Sequence, residues 1–208
     1  MKGKFITIEG CEGAGKSRQM KMLTAYLEQN GIDFISTREP GGTEIAEKIR
    51  AIILDVDNKD MADECEVLLY AASRAEHIKN RIRPALEEGK IVVCDRFIDS
   101  SFAYQAYARG LGYEAVEKAN VFAIEKCMPD VTLFLDITPT EAFLRKGGAD
   151  AKDRIEAAGL EFHEKVYEGY IKLCEKFPER IERIDCSGTK DQTHSNVISA
   201  LKRRGVIR

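Results

Sequence analysis

At 208 residues, 44% of them hydrophobic and with 32 Lys and Arg against 35 Asp and Glu, the chain suits one α/β domain with a sizeable core and a net charge of −3. That balance argues against a general polynucleotide-binding surface, while a small anion can still be held by a few local arginines. No run of about 18 apolar residues is present and no signal-peptide pattern opens the chain, so no transmembrane helix is expected and a cytoplasmic location is.

In chain order, Lys4-Phe5-Ile6-Thr7-Ile8 reads as a short buried strand. It runs into Gly10-Cys11-Glu12-Gly13-Ala14-Gly15-Lys16-Ser17, which fits G-x-x-x-x-G-K-[S/T], the phosphate-binding loop. Glycines let the backbone wrap closely around a polyphosphate, and successive N–H groups then form a nest for anionic oxygens. In this pattern Lys16 reaches the β- and γ-phosphates of ATP and the Ser17 hydroxyl ligates Mg²⁺. A helix from Lys16 to Gln29, with Met20, Leu23 and Leu27 on one face, would present its N-terminus to those phosphates.

Residues 32–36 read as a second strand, followed by Thr37-Arg38-Glu39-Pro40-Gly41-Gly42-Thr43, an irregular stretch at a strand end where open α/β sheets bind ligands. Thr43 caps a predicted helix from Glu44 to Leu54, whose apolar face is Ile45, Ile49, Ile52 and Ile53; Arg50 points elsewhere. A long helical segment from Asp63 to Glu88 carries Pro84, which predicts a kink or break. Leu68, Leu69 and Ala72 are its expected core face. Tyr70 and Arg74, four apart, share a side on which a ring and a guanidinium could meet a nucleobase, although a half-buried core tyrosine fits Tyr70 equally well.

Residues 91–94 form a buried parallel strand ending in Asp95-Arg96, a carboxylate suited to a Mg²⁺ shell and a cation suited to a transferring phosphoryl. The stretch from Asp99 to Gln105 offers hydroxyls and an amide, which suit sugar and base edges. A helix over 114–127, a strand over 131–137 and a short helix from Pro139 follow. Residues 145–156 mix glycines with basic residues, the composition of a mobile lid. A helix over 160–177, a fifth strand over 181–184 and a last helix over 195–204 complete the chain; residues 188–191 read as a loop bordering an adenine. Strands alternating with helices imply a parallel five-stranded sheet covered on both faces. The six cysteines lack zinc or disulfide spacing; Cys94 and Cys174 read as small buried residues and Cys11 as oxidation-sensitive, while the three histidines read as surface or packing residues.

The five stretches 9–17, 37–43, 68–77, 95–105 and 153–163 together resemble, in order, the bacterial-type thymidylate kinases, in the nucleoside monophosphate kinase group of phosphate-loop (P-loop) folds. The resemblance implies a three-layer sandwich of P-loop NTPase type with a small lid, the reaction ATP + dTMP → ADP + dTDP, Mg²⁺, and a homodimer. It implies that the loop from Gly10 to Ser17 holds ATP, that Glu12 faces the acceptor's 3′-hydroxyl, and that Ser17 and Asp95 stand at the metal. It assigns Arg38, Arg50 and Arg96 to the acceptor's phosphate, Tyr70 and Arg74 to the thymine, and Ser101, Tyr104 and Gln105 to the base and deoxyribose. No loop residue between Gly10 and Gly15 is basic, so a lid arginine is needed at the transferring phosphoryl. Arg154 is the first choice and Arg145 the second. A kinase acting on dUMP or dGMP shares everything but the acceptor pocket. A guanine-nucleotide switch would need an N-K-x-D motif, which is missing.

Overall fold

The protein is described by a computed structural model covering residues 3–146 and 153–208. Five parallel strands, β1 (Phe5–Glu9), β2 (Phe34–Arg38), β3 (Ile91–Asp95), β4 (Val131–Asp136) and β5 (Ile181–Asp185), form one sheet in the order β2-β3-β1-β4-β5. Side chains alternate between the sheet's faces. Phe5, Val92, Cys94, Phe134 and Ile181 fill one core, and Ile6, Ile8, Val93, Leu133, Leu135 and Ile184 fill the other. Helices α1 (Lys16–Gln29) and α9 (Lys190–Arg203) close the second core with Leu23, Leu27, Val197 and Leu201. Helices α3 (Asp63–His77), α4 (Arg83–Glu87), α6 (Tyr113–Ile124) and α8 (Leu160–Lys176) lie on the first. Helix α2 (Glu44–Leu54) packs beside α3, and α5 (Ile98–Ser101) and α7 (Pro139–Lys146) complete the set.

Register positions the site. Ile8 pairs with Asp95, Arg38 with Asp95, and Glu9 with Phe134, so the carboxyl ends of β1, β2 and β3 lie in line. After β3 the chain crosses to the far side of β1, and ligands of open α/β sheets bind at such a switch point.

The structure differs from expectation in instructive places. The long helix at 63–88 breaks into α3, a π-helical turn (Ile78–Ile82) and α4, because Pro84 has no N–H to continue the ladder. A second π-helical stretch (Phe102–Ala108) follows α5. The last helix starts at Lys190 rather than 195, because Thr189 and Gln192 form a reciprocal capping box. Helix α2 buries only Ala46 and Ile53, and α3 leaves Leu68 and Ala72 exposed. The inward face of α3 is instead polar: Glu66, Ser73, Arg74 and His77 are buried there. Of the two readings for His77, surface or packing, the structure shows a buried packing residue that is also hydrogen-bonded. Its ring bonds Thr37 Oγ1 at 2.7 Å and Glu39 Oε1 at 3.1 Å.

Candidate active site

A cavity of about 770 Å³ runs along the carboxyl edge of the sheet from the phosphate loop to α3. Glu12, Gly13, Ala14, Gly15, Lys16 and Ser17 line one end, with Gly188 and Lys190 beside them, where a loop bordering an adenine was expected. Arg38, Arg50, Tyr70, Arg74, Tyr104 and Gln105 line the other, and Asp95, Arg96 and Arg145 also face in. Gly10, Cys11, Ser101 and Arg154 do not line it.

The loop is shaped by close approach. Gly13 has φ +80°, and a Cβ there would meet the Ala142 carbonyl oxygen at 2.6 Å. Gly15 adopts a left-handed conformation and caps α1, whose free N–H groups open on the cavity. Lys16 is buried and donates to the carbonyls of Gly10 at 3.1 Å and Cys11 at 2.9 Å. Burial, and then the charge of Arg96, hold its ammonium below the ordinary value. Such a cation is stabilised by any anion brought to the loop. Cys11 departs from expectation: its side chain is turned into the core, and burial pushes its thiol up to about 11, the reverse of an oxidation-sensitive thiolate.

Asp95 and Ser17 suit a divalent ion. Asp95 Oδ1 is buried without a hydrogen-bond partner, an orphan that costs free energy unless a cation or water meets it. Among the described residues no cluster of three or more His, Cys, Asp or Glu could hold a metal. Mg²⁺ is commonly bound by one or two carboxylates together with substrate phosphates and water.

Arg96 is the most constrained residue of the site. Its φ is +66°, a left-handed conformation that costs a non-glycine residue about 1–3 kcal/mol. The backbone is held there by Arg96 N donating to Ile8 O at 3.0 Å and by Cys94 Sγ donating to Arg96 O at 3.1 Å. The guanidinium donates to Glu12 Oε1 at 2.5 Å and to Ser100 Oγ at 3.2 Å, over the face of the Tyr104 ring. Beneath it lies Glu9, fully buried at the end of β1. Glu9 accepts from Phe97 N at 2.7 Å, Ser100 Oγ at 2.6 Å and Tyr170 OH at 2.8 Å. Burial pushes the Glu9 carboxyl up to about 7, and the Asp99 charge adds to the rise; Arg96, Ser100 and Tyr170 oppose it.

The cations at the far end divide into two kinds. Arg38 is half exposed and donates to Glu47 Oε2 at 2.7 Å, and Arg50 donates to the Pro40 carbonyl at 2.8 Å. Burial and the neighbouring Arg38 charge hold Arg50 below its ordinary value, so the two form a site that an anion would relieve. Arg74, by contrast, is 1% exposed and clamped: Nε donates to Glu39 Oε2 at 2.8 Å and Nη1 bonds Asn120 Oδ1. Tyr104 OH is buried and unpartnered on the cavity wall, as a group awaiting a polar ligand would be; Ser101 Oγ is also buried and unpartnered, but behind the wall.

Arg154 is placed otherwise than expected. It is buried, donating from Nε to Ile53 O at 2.9 Å and from Nη2 to Glu66 Oε2 at 2.5 Å, and so is committed to α2 and α3 rather than to the loop. Arg145 is exposed, faces the cavity and donates to Ser187 O at 3.4 Å. The glycines expected to hinge the lid, with Lys152, lie outside the described residues.

Residues 8–197 match the family model described as Thymidylate kinase. The chain belongs to the thymidylate kinase family. Relatives named thymidylate kinase include one from Clostridium novyi, 50% identical over 203 residues, covering 97% of this chain and 99% of its own. Another, from Halalkalibacterium halodurans, is 46% identical over 205 residues and covers 98% of each. A crystal structure of thymidylate kinase from Ehrlichia chaffeensis superposes with a TM-score of 0.78 at 31% identity, covering 97% of this chain and 99% of that one. The P-loop fold and the kinase class expected from the sequence are thereby established. Among the described residues no helix is long and apolar enough to cross a membrane.

Sequence reasoning missed the carboxylates of this family member's site: Glu9, Glu39 and Glu66. Each is buried and bonded to cations or donors more than thirty residues away in sequence. The one local signal was the position of Glu9 and Glu39 at strand ends.

Proposed function

We propose that this chain phosphorylates dTMP to dTDP with Mg·ATP by direct in-line transfer. The observation that carries the reading is one cavity with two anion sites: the phosphate loop with Lys16 at one end, and Arg38 with Arg50 at the other. Between them stand Arg96 and Asp95. A switch or motor has no use for a second cationic site facing its phosphate loop; a phosphoryl transferase does.

Lys16, the loop N–H groups and the end of α1 bind the ATP phosphates and hold the γ-phosphoryl in place. Arg38 and Arg50 hold the acceptor's phosphate, and Arg96, fixed from below by Ser100, neutralises charge between the two. A phosphate oxygen is already nucleophilic, so orientation and charge neutralisation suffice without a strong base. Ser17 and Asp95 would hold Mg²⁺, which would supply charge neutralisation of the phosphates. Glu12 faces the acceptor's sugar. Half-buried Tyr70 stacks on the base; Arg74 and Gln105 meet the base edge, and Tyr104 lines the sugar, with Ser101 behind the wall. Arg145, exposed on the cavity wall, closes over the transferring phosphoryl, while Arg154 ties its own stretch to α2 and α3.

Two copies of the chain form a homodimer in this reading. The neighbouring helices α2, α3 and α6 leave Ile45, Ile52, Leu68, Val121 and Phe122 exposed, Phe122 by 89%. Such a patch is what an isologous interface buries. The chain works in the cytoplasm.

The test is a coupled ADP-release assay with Mg·ATP and each nucleoside monophosphate in turn, with and without EDTA, alongside sedimentation of wild type and Phe122→Asp. Metal-dependent turnover greatest with dTMP, and monomers only in the variant, are expected. ADP release with dGMP but not dTMP would refute the acceptor assignment.

A further inference from the structure

The base end of the cavity rests on a carboxylate that does not itself line it. Glu66, on the inner face of α3, is 0% exposed and both of its oxygens are taken. Oε1 accepts from Gln105 Nε2 at 2.8 Å and from Arg109 Nε at 3.4 Å. Oε2 accepts from Arg109 Nη2 at 3.1 Å and from Arg154 Nη2 at 2.5 Å. Burial alone would raise its pKa, but the Gln105 amide and the two guanidiniums outweigh burial and hold it below the ordinary carboxylate value, so Glu66 is ionised.

An ionised carboxylate accepts hydrogen bonds and donates none. The two ends of the Gln105 amide are therefore not interchangeable: chemistry requires its NH₂ to face Glu66. No protein donor reaches Gln105 Oε1 among the described residues, and Gln105 is part of the cavity wall. The side chain thus offers the base an acceptor. A base edge with a ring N–H, as at N3 of thymine or uracil, satisfies that acceptor. Cytosine presents a lone pair at N3, so two acceptors would meet in a buried site and both would lose their bonds to water.

We propose that Glu66 is a positioning residue that sets base selectivity: by holding the Gln105 amide nitrogen it turns the carbonyl to the acceptor nucleotide, admitting pyrimidines with N3–H and rejecting cytosine. The proposal rests on the reading of the site as a thymidylate kinase. Its signature follows from Glu66→Gln. The new carboxamide keeps an oxygen toward Arg109 and Arg154 and turns its NH₂ toward residue 105. Gln105 then rotates to accept with its oxygen, and its own NH₂ faces the base. That arrangement suits cytosine.

The experiment measures kcat and KM for dTMP and dCMP, with thermal melts, on wild type, Glu66→Gln, Glu66→Asp and Arg109→Gln. Turnover of dTMP by the wild type tests the underlying reading before any variant is considered. In Glu66→Gln the dTMP:dCMP ratio of kcat/KM falls by about tenfold or more, carried mainly by KM, the scale of one mispaired buried hydrogen bond. Glu66→Asp, which keeps the charge but withdraws it from Gln105, lowers the ratio as well and serves if Glu66→Gln does not fold. Arg109→Gln lowers the melting temperature and leaves the ratio unchanged, because the bond to Gln105 survives. An unchanged ratio in the folded Glu66 variants, with both substrates weakened alike, would overturn the proposal and leave Glu66 a purely structural group.

Discussion

Replacing Glu9 with Gln changes how stability depends on pH. Glu9 lies fully buried under Arg96, with its carboxyl raised from 4.5 to about 7. The folded protein therefore holds this proton more tightly than the unfolded chain does. The favourable contribution is complete below pH 4.5, declines as the pH rises and is gone above about 7. The difference, 7 − 4.5, at about 1.4 kcal/mol per pH unit, is worth about 3 kcal/mol. The carboxamide of the Glu9→Gln variant would keep an oxygen for Phe97 N and offer its NH₂ to the Ser100 and Tyr170 hydroxyls, so the packing survives while the titration disappears. Urea unfolding at pH 5 and pH 8 reads this directly. The unfolding free energy of wild type minus that of the variant should be more positive at pH 5 by about 2–3 kcal/mol. A difference that stays constant with pH would refute the reasoning. It would mean that Arg96 and the two hydroxyl donors cancel the cost of burial and that Glu9 titrates as it does in the unfolded chain.

Three further outcomes follow from the same geometry. Arg74→Ala strands Glu39 in the interior and should cost about 3–5 kcal/mol of stability as well as dTMP affinity; a melt unchanged from wild type would contradict the clamp. Arg145→Ala should lower kcat by about 10³-fold or more with an unchanged melting temperature, whereas Arg154→Ala should destabilise by about 3 kcal/mol through Glu66; the reverse pattern in steady-state kinetics and melts would restore Arg154 as the phosphoryl-facing cation. Gly13→Ala forces a Cβ to 2.6 Å from the Ala142 carbonyl at φ +80°, so calorimetry should show ATP affinity reduced by about tenfold or more.

The phosphate loop was legible because its chemistry is local: eight consecutive residues carry the glycines, the lysine and the hydroxyl, and the strand and helix beside them are short-range patterns. The ends of α1 and α2 were legible for the same reason, since Thr43 caps its own helix. Helix faces were read less well. Periodicity placed Ile45, Ile52 and Leu68 inward, but a helix that lines a polar cavity turns its apolar side away from it, and α3 spends its inner face on Glu66, Ser73, Arg74 and His77. Pro84 marked the break in the long helix but not the π-helical form of the turn before it, and the second π-helical stretch had no local signal, because such register shifts answer to packing.

Burial separates the arginines that a substrate can use from those it cannot. Four of the arginines that the sequence offered to a phosphate or a base are paired here with a carboxylate: Arg38 with Glu47, Arg96 with Glu12, Arg74 with Glu39 and Arg154 with Glu66. The pairs are not equivalent. Arg38 and Glu47 are both more than 40% exposed, so a phosphate can replace the carboxylate at little cost, because water solvates what is displaced. Arg74 and Glu39 are at most 3% exposed, and separating them would leave two bare charges in the interior. In the proposed site Arg74 would meet its ligand only with donors left over from the clamp, as a rigid edge, while Arg154 is held by Ile53 O and Glu66 away from the phosphate loop. Arg96 lies between the two classes. It is mostly buried, but its partner Glu12 is 35% exposed on the cavity wall, so an incoming phosphate and Glu12 can share it. From the sequence all of these residues are the same guanidinium; the partner's burial decides which grips charge, which reads a base and which holds the protein together.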